Sequence, residues 1–423
     1  MRNFSQLLMV AAATVASVLP GAAQVAPPQI YAKLYTAVSD DVATFAASAP
    51  SCPNNTMHPL IVAEIGGADA NFLQRTLPQA SARQMATMVQ NAVNEAKLLQ
   101  LQFGIQGVET SMSYPILVDN PANLPNNGTL TTTTFAKYMQ FYEQFVAGVR
   151  GLGLKLVVES NLNLPGQDNN AFTYKGVTVP QLQAGMTEVT QHILDNLHPD
   201  VLEIFSEPTT LADNTGLKQL MTPSVYAQFI VGMRQAYDTR SSPHTLFSAG
   251  SADWVRKDFL VELLAADTAA PIHLDIFDLH AYPPDDLGAA VADMDYLVGQ
   301  GKRISMSETW DNKISAAAPI PLPNGWTAPD LQQVLNGYSF WENVDAQYLP
   351  AMYAQLDCRG AAYVQFWHSP QFWAYIGYNG TTGNYDADQM RAALDKAFKQ
   401  AAAHNAMSPS GAAMKQITAA SER

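Results

Sequence analysis

Gln181-Leu-Gln-Ala-Gly-Met-Thr-Glu-Val-Thr-Gln-His-Ile-Leu-Asp-Asn-Leu197, then His198-Pro-Asp200, then Val201-Leu-Glu-Ile-Phe-Ser-Glu-Pro208 is the stretch that decides the fold. Leu182, Met186, Val189, Ile193 and Leu197 fall on one stripe at helical spacing. The apolar run that follows is short and of strand character. A helix joined by a short turn to a strand is half of a βαβ crossover. The same alternation continues from Leu60 to about residue 403.

Strand-like runs are Leu60–Ile65, Leu101–Val108, Lys155–Asn161, Val201–Glu207, Thr245–Ser251, Ile276–Tyr282, Arg303–Thr309 and Ala361–Trp367. Helical segments separate them. One opens at Thr222-Pro223, an N-cap followed by proline at the first helical position. Repeated strand-helix units imply a parallel sheet with right-handed crossovers. Eight of them close most naturally into a single-domain (β/α)8 barrel. The alternative, a doubly wound open sheet, usually carries a G-x-G-x-x-G first turn, and none occurs. The long connections follow strands two, three, seven and eight, on the face where barrels place their chemistry.

The flanks read differently. Residues 1–23 resemble an export signal: Arg2, a short apolar run from Leu7 to Val18, then Pro20-Gly21 and small residues. That run is too short to span a bilayer comfortably. The expected location is therefore secreted or periplasmic, with no stable membrane anchor. Residues 24–58 form an N-terminal extension with a weak helix over Ser39–Ser48, residues 59–403 the barrel, and residues 404–423 a flexible tail. Cys52 precedes the first strand and Cys358 the last. Those strands are neighbours in a closed barrel, so the two cysteines are expected to pair at its bottom rim. The net charge of −14 argues against nucleic acid or an anionic membrane surface as partner. Oligomeric state is not legible.

Two glutamates stand at matching strand ends, Glu207 in Ser-Glu-Pro and Glu308 in Ser-Glu-Thr-Trp. Strand alternation places Glu207 on the face of Glu203 and Phe205, and Glu308 on the face of Ile304 and Met306. In strand six Asp278, His280 and Tyr282 share a face. Two carboxyls over one cavity are the minimal equipment for breaking a glycosidic bond. The acid is expected to be the one with the raised pKa. Tyr282 is placed to donate to the nucleophile, and Trp367 to form an aromatic floor under a sugar ring.

These four motifs resemble those of the clan A glycoside hydrolases, in particular their endo-glycanase-like families. There an acid/base glutamate ends strand four, a nucleophile ends strand seven, His-x-Tyr ends strand six and Trp ends strand eight. The resemblance covers roughly Leu60 to Ala402. It implies an exported retaining enzyme acting on β-linked oligo- or polysaccharides, with Glu207 as acid/base and Glu308 as nucleophile. His280, Tyr282 and Trp367 would bind substrate, with Asn161, Ser206 and Trp310 as further contacts. Ser206 stands where the clan usually carries Asn. Neither cofactor nor metal is expected: the histidines are scattered, and no H-E-x-x-H, C-x-x-C or G-x-S-x-G occurs. The rival readings are a non-catalytic carbohydrate-binding barrel and a transglycosylase using the same glutamates. For the latter, Trp326, Trp373 and Tyr378 would serve as acceptor-side aromatics.

Overall fold

The computed structural model describes residues 26–421, apart from 53–54, 70–71, 74–75, 114–131, 162–177, 253–254, 283–286, 316–317, 324 and 368. The export signal and the loops after strands two and three lie outside the described residues.

Eight parallel strands close into a barrel in sequence order. They are β1 Leu60–Glu64, β2 Gly107–Ser113, β3 Lys155–Asn161, β4 Val201–Glu203, β5 Leu246–Ala252, β6 Ile276–Ala281, β7 Ile304–Thr309 and β8 Tyr363–Phe366. Around them run α1 Ala32–Ala47, α2 Ala82–Phe103, α3 Thr132–Gly151, α4 Val179–Leu197, α5 Pro208–Thr215 and α6 Pro223–Ala236. The ring continues with α7 Asp258–Ala269, α8 Leu287–Gly299, α9 Ala328–Asn336, α10 Glu342–Asp357, α11 Ala387–Ala403 and α12 Pro409–Ser421. The α4 stripe is buried as its spacing predicts, and Thr178 with Gln181 closes a capping box at its start.

Strand two corrects the sequence reading. Residues 101–103 are the last turn of α2, whose buried stripe includes Ala92, Ala96, Leu99 and Phe103. Gly104, at φ 74°, ends that helix in the left-handed region. The strand begins only at Gly107.

The tail also differs from expectation. Residues 409–421 form α12, with Met414 and Ile417 buried, and the helix packs on α10 and α2. Its apolar content is too low to signal a helix. Close approach does the work instead: a Cβ on Gly411 would lie 2.0 Å from the Phe372 carbonyl oxygen. The N-terminal helix is longer than expected, because Leu34, Val38, Val42 and Phe45 bury one face.

Cys52 and Cys358 form a disulfide with a Cα–Cα separation of 5.4 Å. Asn55 donates to the Asp357 backbone and side chain beside it, and His58 Nδ1 lies 2.8 Å from Asp357 Oδ1.

The barrel interior is layered. Val62, Val157, Val201, Ile276 and Tyr363, from five different strands, meet in one cluster with Leu60 and Leu246. Side chains on strands so far apart can touch only across the barrel axis. Two residues further along, the same faces carry Glu64, Glu109, Glu159, Glu203, Ser248, Asp278 and Gln365. Barrel layers are normally filled by branched apolar side chains. Here the middle layer is acidic.

Candidate active site

Above the acidic layer, β4, β6 and β7 bring Glu207, His280 and Glu308 together. Glu207 is the N-cap of α5, and Pro208 fixes its first turn. The Glu207 carboxyl makes no capping bond and turns inward. It accepts from His280 Nδ1 at 3.0 Å.

Glu308 reaches the cavity by a departure from strand regularity. Asp278 pairs with Ser305, but His280 pairs with Glu308, so β7 carries one extra residue between the two pairs. Strict alternation keeps Glu308 on the face of Ile304 and Met306, which pack in the large core cluster surrounding the barrel. The bulge reverses that phase and turns Glu308 inward. The face shared with Ile304 and Met306, expected from the sequence, is therefore corrected. On β5, Gly250 allows the close approach of β6 at this level: a Cβ there would lie 1.6 Å from the Asp278 carbonyl oxygen.

One imidazole ties the cluster together. His280 Nδ1 faces Glu207 and also lies 3.5 Å from Glu308 Oε2. Its Nε2 lies 3.3 Å from Glu203 Oε1 and 3.3 Å from Asp278 Oδ2. Asp278 accepts from the Ser305 and Ser307 hydroxyls and from the Ser307 backbone N–H. Tyr282 donates to Glu308 Oε2 at 2.7 Å. The Trp367 ring meets Tyr282 edge-on at 6.3 Å and forms part of the same wall.

The protonation pattern departs from the one expected for Glu207 as resting acid. Burial pushes the Glu207 carboxyl up, but the hydrogen bond and charge of His280 and a bond from Thr210 outweigh it, and the net shift is downward. Burial raises Glu308 to about 8; nearby Glu207 adds to the rise, while His280 and Tyr282 oppose it. The physical reason is distance, since the imidazole sits closer to Glu207 than to Glu308. Burial disfavours charge on His280, yet Glu308, Asp278, Glu203 and Glu207 together hold its pKa well above the ordinary value. Glu64, Glu109 and Glu159 are pushed well up, by burial first and next by a neighbouring carboxylate: Asp69 for Glu64, Glu159 for Glu109 and Glu203 for Glu159.

The remaining expected contacts divide. Trp310 is fully buried and packs on Phe372, so it is a core residue and touches no cavity. Ser206 is also buried. Both positions were expected at the surface of the site, and both are buried. Asn161 ends β3, and its side chain lies outside the described residues. Among the loop aromatics, Trp373 packs on Phe103 and Phe398, Tyr375 donates to Asp345, and Tyr378 packs with Tyr31 and Tyr338. They fill loop cores; of the three acceptor-side candidates, Trp373 is buried, while Trp326 and Tyr378 are left half-buried. Glu203 and Asp278 are the site residues that sequence reasoning passed over. Their signal was an acidic residue two or four positions before each inward-facing strand end.

Among the described residues, ligand atoms of Glu203, Asp278 and His280, and of Glu207, His280 and Glu308, lie within 4.8 Å of one another. Both triplets share one imidazole whose two nitrogens already face carboxylates. The arrangement supports proton transfer between carboxyls, with one of them free to act as a nucleophile.

No protein-family model matches the chain, and no curated protein matches it by sequence. In three dimensions it is similar to an endo-β-1,4-mannanase double mutant from Cellulomonas fimi, at 12% identity and TM-score 0.45, covering 90% of this chain and 77% of that one. It is similar to an exo-β-1,4-mannosidase from an Opitutaceae bacterium at 11% and 0.48, covering 88% of this chain and 62% of that one. A third likeness is to cellulose synthase subunit Z of Clostridioides difficile, at 13% and 0.41, covering 79% and 99%. At such identities and TM-scores these likenesses carry no weight for the chemistry, which rests on the site itself.

Proposed function

We propose that this chain is a retaining glycoside hydrolase of clan A type, cleaving β-linked oligo- or polysaccharides with Glu308 as nucleophile and Glu207 as acid/base. One observation carries the reading: carboxylate oxygens of Glu207 and Glu308 lie within 4.8 Å of each other across the barrel mouth. Double displacement needs carboxyls about 5–5.5 Å apart, whereas inversion needs about 6.5–9.5 Å to admit a water. The Tyr282 hydroxyl supports Glu308 as nucleophile, since its hydrogen bond favours the ionised, oriented carboxylate. The Tyr282–Trp367 wall supplies the aromatic surface on which a sugar packs. In the first step Glu308 attacks the anomeric carbon while Glu207 protonates the leaving oxygen. In the second, Glu207 takes a proton from water as that water displaces Glu308.

The reading includes export, which the disulfide supports. No helix among the described residues is long and apolar enough to cross a membrane.

The test is reducing-sugar release from β-glucans, β-mannans, β-galactans and xylans, with Glu207→Gln and Glu308→Gln beside the wild type. Turnover of one polymer by the wild type, abolished by Glu308→Gln and reduced roughly 10²–10⁴-fold by Glu207→Gln, supports the reading and names the sugar. Saccharide binding without turnover of any polymer would replace it with a non-catalytic binding barrel.

A further inference from the structure

Barrel interiors are typically filled in layers of four side chains, each drawn from alternate strands. Val201 of β4, Ile276 of β6 and Tyr363 of β8 belong to one apolar layer, and Gly107 of β2, paired with Val62, is its member without a side chain. Two residues further on, the same strands contribute Glu109, Glu203, Asp278 and Gln365. All four are buried, Glu203, Asp278 and Gln365 completely. Asp278 is occupied by Ser305, Ser307 and His280 Nε2, and Glu203 Oε1 faces the same nitrogen at 3.3 Å. The rest of the layer is unspent: Glu109 Oε2, Glu203 Oε2 and both amide atoms of Gln365 find no hydrogen-bond partner among the described residues. The Tyr363 hydroxyl rises from the layer below, and the charges that act on it are Asp278, Glu203 and Glu109. We propose that this layer is a cation site: one hard divalent ion of Ca²⁺ type lies on the barrel axis, held by Glu109 Oε2, Glu203 Oε2 and the Gln365 carbonyl oxygen, beneath the cavity of Glu207 and Glu308.

Gln365 is the observation that points to a ligand. A buried amide with both ends free is costly, and it stands where barrels usually place a branched apolar side chain. Because both of its atoms are free, either orientation of the amide presents an oxygen to the axis. The free donors are carboxylate and amide oxygens, which suit Ca²⁺ and not the softer transition metals. Charge favours an ion over water alone. The layer sets three carboxyls against the single imidazole of His280, and no lysine or arginine is among the charges that act on Glu109 or Glu203. Water would complete the hydrogen bonds and leave that imbalance in place. The site is separate from the two triplets around His280, where imidazole nitrogens already face the carboxylates. Through Glu203, whose other oxygen faces His280, a bound ion would steady the floor of the cavity above. In Ca²⁺-free solution the same carboxyls take up protons, so Ca²⁺ and protons compete. The ion would bind whether or not the chain cleaves glycosides.

The test is thermal unfolding of EGTA-stripped protein across a Ca²⁺ titration at constant ionic strength, at pH 8 and at pH 5. At pH 8 the melting temperature should rise with Ca²⁺, and elemental analysis should find one Ca²⁺ per chain. At pH 5 the rise should be smaller, because protons hold the ligands. Gln365→Leu removes the free amide and adds no polar atom. It should melt no lower than the wild type in EGTA and lose the response to Ca²⁺. If Gln365→Leu does not fold, Glu109→Gln keeps the shape of the layer and should lose the response as well. Glu308→Gln should retain it, which separates the layer from the cavity above. Crystals grown with Ca²⁺ should give an anomalous peak between Glu109, Glu203 and Gln365. Three results would overturn the site: a melting temperature indifferent to Ca²⁺ at pH 8, a response lost in Glu308→Gln but kept in Gln365→Leu, or axial density without anomalous signal, which would be water. None of these readings depends on turnover, so failure of the glycosidase reading shows separately in the polymer panel.

Discussion

The acidic barrel layer and the ion cluster around Lys313 are both internal and differ in how many carboxyls share one cation. Lys313, in the segment after β7, lies against Asp311 at 3.0 Å and against Asp345 of α10. Tyr375 donates to Asp345 at 2.8 Å and also bonds Ser410 of α12. One ammonium thus serves two carboxylates, and the network staples the chain following Glu308 to α10 and the tail helix. In the barrel, one imidazole faces four carboxyls, and Glu64, Glu109 and Glu159 stand nearby as further acids whose pKa values are pushed well up. Burial raises Asp311 to about 7 and Asp345 above its ordinary value, but Lys313 opposes both. The barrel layer holds more carboxyls per cation, and its excess must take up protons.

The contrast breaks most visibly at Lys313. Lys313→Met leaves Asp311 and Asp345 buried without their cation and should cost about 3–5 kcal/mol in urea unfolding. A loss under about 1 kcal/mol would mean that the cluster is as tolerant as the barrel layer.

Acidity sharpens the contrast next. Glu308 at about 8 against an ordinary 4.5, and Glu64, Glu109 and Glu159 well above it, bind protons more tightly folded than unfolded. Their contribution is complete below pH 4.5 and is lost as pH rises toward and through about 8. His280 works in the same direction, with its window set by its own raised pKa. Glu207, shifted down, works the other way. The melting temperature should therefore fall between pH 5 and pH 8, and a flat profile would count against an acidic layer that folds protonated.

Tyr282→Phe removes one hydrogen bond to Glu308. It should cut kcat/KM by roughly ten- to a hundredfold and move the Glu308 midpoint further upward in the pH–rate profile, because that bond lowers it. An unchanged profile would place the tyrosine in the wall only. The smallest effect is expected at Glu109→Gln, which swaps a carboxyl held protonated for a near-isosteric amide. Stability at pH 8 should rise by about 1 kcal/mol or less, and the pH slope should flatten. Destabilisation comparable to Lys313→Met would show that Glu109 is paired as tightly as the cluster.

The sequence carried much of this molecule. Periodicity located seven of the eight strands, because apolar runs bounded by turns survive without knowledge of their neighbours. It failed at strand two, where the apolar end of α2 reads like a strand, and at α12, whose small residues are buried only by partners remote in sequence. Glu207, His280, Tyr282, Glu308 and Trp367 were legible as strand ends, and their side chains meet in one cluster. Ser206 and Trp310, expected as contacts, are buried, which strand alternation alone does not reveal.

What the sequence determined by itself is the barrel and the identity of the groups at its mouth, since both follow from local spacing. What only the tertiary structure decided is the face on which Glu308 emerges and the direction in which its pKa is moved. The first depends on a bulge that pairing between β6 and β7 reveals. The second depends on burial first, which raises the carboxyl, and then on its distances to His280 and Glu207, and charge interactions at that range are set by position in space, not by position along the chain.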